Sequence, residues 1–213
     1  NASAAGVNLG TNAGSTNFAG LAIATQSANG FVANGAGTLT VTGAGNSVTT
    51  TTGQILSITK TLVGASNVNF NILSSSGITT GNAITLSNVD NLFGGNNQIV
   101  ISNVSIAGSS ADGININSGT STNVAINTAT INNTTGDGIE INASSGSFSI
   151  VTGNIGNTND PGGDTVRIIG GTGTVDIDAN LFKSSDGNLV EVDGHTTGTI
   201  NFGGNLSASG GGN

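Results

Sequence analysis

The sequence predicts an all-β chain wound into a right-handed parallel β-helix, with about eight rungs of three short strands and essentially no helix. Three observations carry this. First, the segment Asp112-Gly113-Ile114-Asn115-Ile116, a turn residue and a glycine followed by a short alternating strand, returns 25 residues later as Asp137-Gly138-Ile139-Glu140-Ile141. Looser copies begin at Ala5, Asn29, Gln54, Asn82, Asp164 and Asn188. Lining up the first apolar residue of each (7, 31, 56, 84, 114, 139, 166, 190) gives intervals of 24, 25, 28, 30, 25, 27 and 24. A near-constant period of this size marks a repeat architecture. Second, apolar residues alternate with polar ones in runs bounded by Gly, Asn, Ser and Thr, the mark of half-buried strands. Third, no stretch carries the i, i+3, i+4, i+7 stripe of an amphipathic helix.

Each unit justifies its strands in turn. The first strand is the repeated motif itself. A second alternating run follows 8–15 residues on, as in Leu39-Thr40-Val41, Val68-Asn69-Phe70, Ile99-Val100-Ile101, Val124-Ala125-Ile126, Phe148-Ser149-Ile150, Val175-Asp176-Ile177 and Ile200-Asn201-Phe202. A third apolar point comes after it: Val48, Ile72, Val104 with Ile106, Ile131, Ile155, Leu181 with Phe182, and Leu206. A unit this short cannot bury its apolar side alone. Wound once about a common axis, the units stack their inward residues into one continuous core. Left-handed coils run on hexapeptide repeats, which this chain lacks, so a right-handed coil is expected. Residues 1–213 form one domain with uncapped ends, and the longest excursions are expected near 59–66, 87–98 and in the proline-bearing loop 157–163.

Two positions before the first inward residue stands a column of Ala5, Asn29, Gln54, Asn82, Asp112, Asp137, Asp164 and Asn188. Asn and Asp cap turns with their side chains, and stacked amides are expected to bond to one another along the axis. Of these, Asn29, Asn82, Asp112, Asp137, Asp164 and Asn188 form the expected structural ladder, and glycine at 6, 30, 113 and 138 is expected to permit the corner.

Composition limits function. The net charge is −8 and the cations are Lys60, Arg167 and Lys183, too few for the patch that phosphate binding needs. Nucleic acid and anionic membrane are therefore not expected partners, and no run is long enough to insert in a bilayer. Cysteine is absent, which removes disulfides and thiolate metal sites. The chain opens on Asn, so it is expected to be a processed product or an excised segment, and residues 1–5 fit the remnant of a signal-peptide cut.

The stretch FVANGAGTLTVTGAGNSVTTTTG (31–53), followed by Ile55-Leu56-Ser57-Ile58 and Val63-Gly64-Ala65-Ser66-Asn67-Val68-Asn69-Phe70, resembles the β-strand repeats of very large bacterial surface proteins. Those belong with the pectin-lyase-like and haemagglutinin-type β-helices, and the likeness extends through 112–141 and 173–204. It implies a structural subunit or segment of an extracellular bacterial filament or surface adhesin fibre. Its partner is then itself, head to tail or in tandem, along with cell-surface or matrix glycans. The tail supports this: Thr199-Ile200-Asn201-Phe202-Gly203-Gly204-Asn205-Leu206 is similar to Ser15-Thr16-Asn17-Phe18-Ala19-Gly20-Leu21.

The alternative is a polysaccharide-binding or polysaccharide-cleaving β-helix. Residues 157–160, Asp164 and Asp193-Gly194-His195 resemble fragments of the polygalacturonase pattern, in the wrong order and without a partner lysine. Glycoside hydrolysis needs two carboxylates at a working separation, and sugar platforms need Trp or Tyr, which are absent. No enzyme and no catalytic residue are expected; His195 is read as a turn residue. Asp112, Asp137 and Asp164 stacked at rung spacing repel, and Ca²⁺ is the candidate cofactor there, with Asp160 in the nearby loop as a further ligand. On the outward face of the first strand, Arg167 should lie between Glu140 and Glu191 as an ion-pair ladder.

Overall fold

Parallel pairing between successive repeats dominates the computed structural model, which describes residues 5–91 and 96–209. Coil 1 holds β1 (Val7–Leu9), β2 (Ser15–Phe18) and β3 (Ala22–Ala24). Coil 2 holds β4 (Phe31–Val41) and β5 (Ser47–Thr50), and coil 3 the long bent strand β6 (Leu56–Thr79). Coil 4 is β7 (Ile84–Asn91) and β8 (Gln98–Ser109), coil 5 β9 (Ile114–Asn117) and β10 (Asn123–Ile131), coil 6 β11 (Ile139–Asn142) and β12 (Phe148–Ile155). Coil 7 comprises β13 (Val166–Ile169), β14 (Val175–Ile177) and β15 (Asn180–Lys183). Coil 8 comprises β16 (Val190–Asp193), β17 (Ile200–Phe202) and β18 (Leu206–Ala208). Among the described residues there is no helix. The described residues form a parallel β-helix of eight coils.

The first-strand register is the one read from the repeats. Val7 pairs with Phe31, then Leu56, Ile84, Ile114, Ile139, Val166 and Val190 follow in one column, all in parallel. Alternation places these residues inward, and from Phe31 to Val166 they are at most 1% exposed. At ~25 cal/mol per Å² of apolar surface, each buried branched side chain stabilises by roughly 1.5–3 kcal/mol. A column of them also sets the register, because a one-residue slip turns every inward residue outward.

The third sheet departs from expectation at one point. Val48 pairs with Leu73, not Ile72, so Leu73 is fully buried and Ile72 is 38% exposed. The reason lies at the corner, where Phe70 to Leu73 is the same three-residue step as Ile101 to Val104 in the next coil, so the inward phase shifts there and Ile72 pairs with Asn103. Upstream, Leu39 pairs with Val63 but Val41 with Val68, so residues 64–67 bulge out of the ladder, which realises the excursion expected near 59–66. Asn67 takes φ 66° at the bulge, and its Oδ1 accepts the Gln98 amide at 2.9 Å. Of the expected excursion at 87–98, residues 92–95 lie outside the described residues, as do residues 1–4 of the expected signal-cut remnant. The proline loop 157–163 stands between β12 and β13 as expected.

Glycine at the corner serves a different purpose from the one expected. None of Gly6, Gly30, Gly113 and Gly138 adopts a positive φ. These positions face inward against the third sheet of their own coil. A Cβ would lie 2.3 Å from Ile23 Cγ2 at Gly6, 2.2 Å from Val48 Cγ1 at Gly30, 2.7 Å from Ile131 Cγ2 at Gly113 and 2.9 Å from Ile155 Cγ2 at Gly138. The glycines make room for a branched side chain from across the core.

Candidate functional site

The Asx column is where the chain concentrates its polar chemistry. Its bonds run from side chain to backbone rather than from amide to amide. Asn29 Oδ1 accepts the Gln54 N–H at 3.2 Å, and Asn82 Oδ1 accepts that of Asp112 at 3.0 Å. Asp112 Oδ1 then accepts from Asp137 at 2.9 Å, Asp137 from Asp164 at 2.7 Å, and Asp164 from Asn188 at 2.6 Å. The geometry asks for a short side chain with an acceptor oxygen, so Asn and Asp serve alike. Gln54, one methylene longer, turns away, and its Nε2 donates to Thr85 Oγ1 at 3.0 Å. The same device recurs at other corners, where Asn123 receives the Ser147 amide and Asn180 that of Asn205.

In coils 5 to 7 the column is anionic. Burial pushes Asp137 up to about 6, against the bond it receives from the Asp164 amide, and the charges of Asp112, Asp164 and Glu140 raise it further. Glu191 is also raised, chiefly by a hydrogen bond shared with Asp164. Arg167 lies beside these groups as expected, paired in register with Glu140 and Glu191. Its Nη1 is 3.6 Å from Glu140 Oε2 and its Nε 3.1 Å from Glu191 Oε2. Asn115 points outward, yet it is only 5% exposed because it is covered by its own partners. Its Nδ2 donates to Asp112 Oδ2 at 2.8 Å and to Glu140 Oε1 at 3.1 Å.

Asp160 is engaged elsewhere. It accepts the backbone N–H of Ser184 at 2.9 Å and of Ser185 at 2.8 Å, and both hydroxyls, at 2.9 and 2.7 Å. Partial burial raises its pKa, but the Ser185 hydroxyl and the other donors outweigh that and hold it well below the usual carboxylate range. Among the described residues no group of three or more His, Asp or Glu is placed to hold a metal ion. The four candidate Ca²⁺ ligands are instead divided between the column and the loop, each with an oxygen committed to N–H or O–H donors of the next coil.

One residue escaped the sequence reading in its role. Lys183 has no exposed side-chain surface. Its ammonium donates to the carbonyls of Pro161 and Gly163, donates to Ser185 Oγ at 3.2 Å, and lies 3.6 Å from Asp160 Oδ2. In other coils the comparable inner corner is closed by hydroxyls: Thr50 Oγ1 donates to Gly53 O at 2.7 Å, Ser109 Oγ to Ala111 O at 2.8 Å and Thr134 Oγ1 to Gly136 O at 3.2 Å. Lys183 reaches further and fastens the larger proline loop. The sequence signal was a lone lysine two residues after Leu181, on the inward phase of a strand. His195 is a turn residue whose Nδ1 lies 3.1 Å from Gly170 O; its Nε2 is buried without a partner.

What this arrangement does chemically is hold backbone to backbone. The carboxylates receive amide and hydroxyl protons from neighbouring coils, and a shallow space of about 150 Å³ beside the proline loop is lined by Asn157, Thr158, Asp160 and Ser184. Comparison with known protein families, with curated proteins and with solved structures finds no match.

Proposed function

We propose that the chain is a structural segment or subunit of an extracellular bacterial filament or surface adhesin fibre, extended end to end by stacking of β-helical coils. The observation that supports this most is that its polar residues are spent on coil-to-coil bonds: the Asx ladder, the Arg167 pairs and the Lys183 loop all join one coil to the next. A scaffold of this kind extends by one coil spacing, roughly 4.8 Å, per repeat. Parallel backbone hydrogen bonds join its successive coils, and its Gly, Asn, Ser and Thr turns offer few basic or aromatic cleavage points for proteases.

Electron microscopy of secreted or surface-detached material tests the reading. Uniform filaments labelled along their length by an antibody to this chain are expected. Discrete globular monomers that release reducing or unsaturated sugars from acidic polysaccharide would overturn it in favour of a carbohydrate-cleaving β-helix.

A further inference from the structure

Lys183 and Asp160 face each other in a setting that suits a reaction as well as an ion pair. The lysine side chain has no exposed surface, the carboxylate side chain is 13% exposed, and Nζ lies 3.6 Å from Oδ2. Ser185 Oγ connects the two groups, accepting from Nζ at 3.2 Å and donating to Oδ2 at 2.7 Å. We propose that this pair is a modification site, where the Lys183 amine and the Asp160 carboxyl condense without added reagent into a side-chain amide. The bond would staple β15 to the proline loop between β12 and β13. It is independent of the fibre reading above.

The hydrogen bonds supply a route for each proton. The ammonium gives one N–H to Pro161 O, one to Gly163 O and one to Ser185 Oγ. When the third proton passes through the Ser185 hydroxyl to Asp160 Oδ2, a neutral amine is left beside a neutral carboxylic acid. The two carbonyls keep the other N–H groups, so the freed lone pair points to the side of Ser185 and Asp160. It attacks Asp160 Cγ, and the charge of the tetrahedral intermediate falls on Oδ1, which accepts the Ser184 hydroxyl at 2.9 Å. A second Nζ proton then reaches Oδ2 by way of Ser185, the Cγ–Oδ2 bond breaks and water leaves. The backbone N–H groups of Ser184 and Ser185, at 2.9 and 2.8 Å from Oδ2, hold the departing oxygen in place. In sum an ammonium and a carboxylate become an amide and one water. Nothing is oxidised or reduced, and charge balances.

Proximity drives the step. Groups held in a reactive geometry behave as though present at roughly 10⁵–10⁸ M. The space of about 150 Å³ lined by Asp160, Lys183 and Ser184 receives the expelled water. The four donors that keep Asp160 ionised oppose the first proton transfer, so the bond forms slowly after folding. The other cation with carboxylate partners, Arg167, is 39% exposed, and its guanidinium stays protonated and offers no nucleophile. In a chain without cysteine, the amide closes the segment from 160 to 183 as a disulfide would.

Intact-mass spectrometry on the purified, folded chain during long incubation at neutral pH tests this. The expected product is lighter than its sequence by the mass of one water. Its tryptic map should join the peptide ending at Arg167 to one that runs on through an uncut Lys183. Lys183→Met and Asp160→Ala should keep the full mass, as should wild type incubated in urea, where the pair is apart. Ser185→Ala should condense at least tenfold more slowly with unchanged circular dichroism. A folded wild-type chain that keeps its full mass overturns the proposal. So does a water lost elsewhere, as in a succinimide at Asp186-Gly187. A Ser185→Ala chain that condenses at the wild-type rate overturns the relay.

Discussion

Coils 1 to 4 and coils 5 to 8 solve one problem with two chemistries. Residues 1–59 have no charged side chain, and all eleven acidic residues lie from Asp90 onward. In the first half the ladder bond is made by Asn29 and Asn82, in the second by Asp112, Asp137 and Asp164, with similar distances. The backbone needs only an acceptor, so the carboxylates are not required by the fold. They bring mutual repulsion, and the second half contains what offsets it: Arg167 between two glutamates, Asn115 bridging Asp112 and Glu140, and a buried lysine. The difference teaches that coil geometry is indifferent to charge, while stability in the second half depends on a few named partners.

The sharpest way to break the comparison is at Lys183. Replacement by Met keeps the length but leaves the carbonyls of Pro161 and Gly163 and the Asp160 carboxylate without their cation. Removing one partner of a buried pair costs about 3–5 kcal/mol. The loss should appear as amide hydrogen exchange in residues 157–188, with coils 1 to 4 keeping their protection, since repeat proteins respond largely through nearest neighbours.

Next comes the corner glycine. Gly138→Ala sets a Cβ 2.6 Å from Thr165 O and 2.9 Å from Ile155 Cγ2, and it should destabilise by about 1–3 kcal/mol in urea unfolding. Gly20→Ala, with nothing within 4 Å, should stay within about 0.5 kcal/mol. These two glycines show where sequence reading stops. The coil interval and first-strand register were legible because period-2 alternation and a recurrent Asx mark them locally. The use of Gly138 was not, because its reason is a side chain seventeen residues on, across the core. Leu73 in place of Ile72 was not legible either, because Asn71 and Ile72 turn the corner after Phe70 and the inward phase shifts there, a step set by pairing with the neighbouring coils. The Arg167 pairs were readable from the column alone, whereas the burial of Lys183 depends on how loop 157–163 folds back over it.

Asp137 carries a pH dependence that the first half should lack. Its pKa rises from an ordinary 3.8 to about 6 on folding, so folding favours the protonated form. Its contribution to stability is complete below about pH 4 and is lost as pH rises through 6. Asp137→Asn keeps the acceptor for the Asp164 amide and removes the charge, so it should flatten the melting profile between pH 4 and 6 and stabilise at pH 7 by on the order of 1–2 kcal/mol. A variant that melts lower at pH 7 would mean the carboxylate has a partner beyond this ladder.

The smallest effect is expected at Arg167, whose side chain is 39% exposed. Exposed pairs contribute roughly 0.2–1 kcal/mol and are screened by salt. Arg167→Gln should therefore lower the urea midpoint slightly at low salt and hardly at all at high salt. Its larger consequence should be structural. With Arg167 in place, Glu140 and Glu191 each sit beside a cation in the adjacent coil; with glutamine at 167 they flank a neutral side chain two rungs apart and lose their counter-charge. The apolar columns still hold the register, so proton exchange at the amides of β13 and β16 should quicken several-fold while global unfolding barely moves. No change at those amides would show that the ladder is an ornament of the face rather than a guide to the stacking.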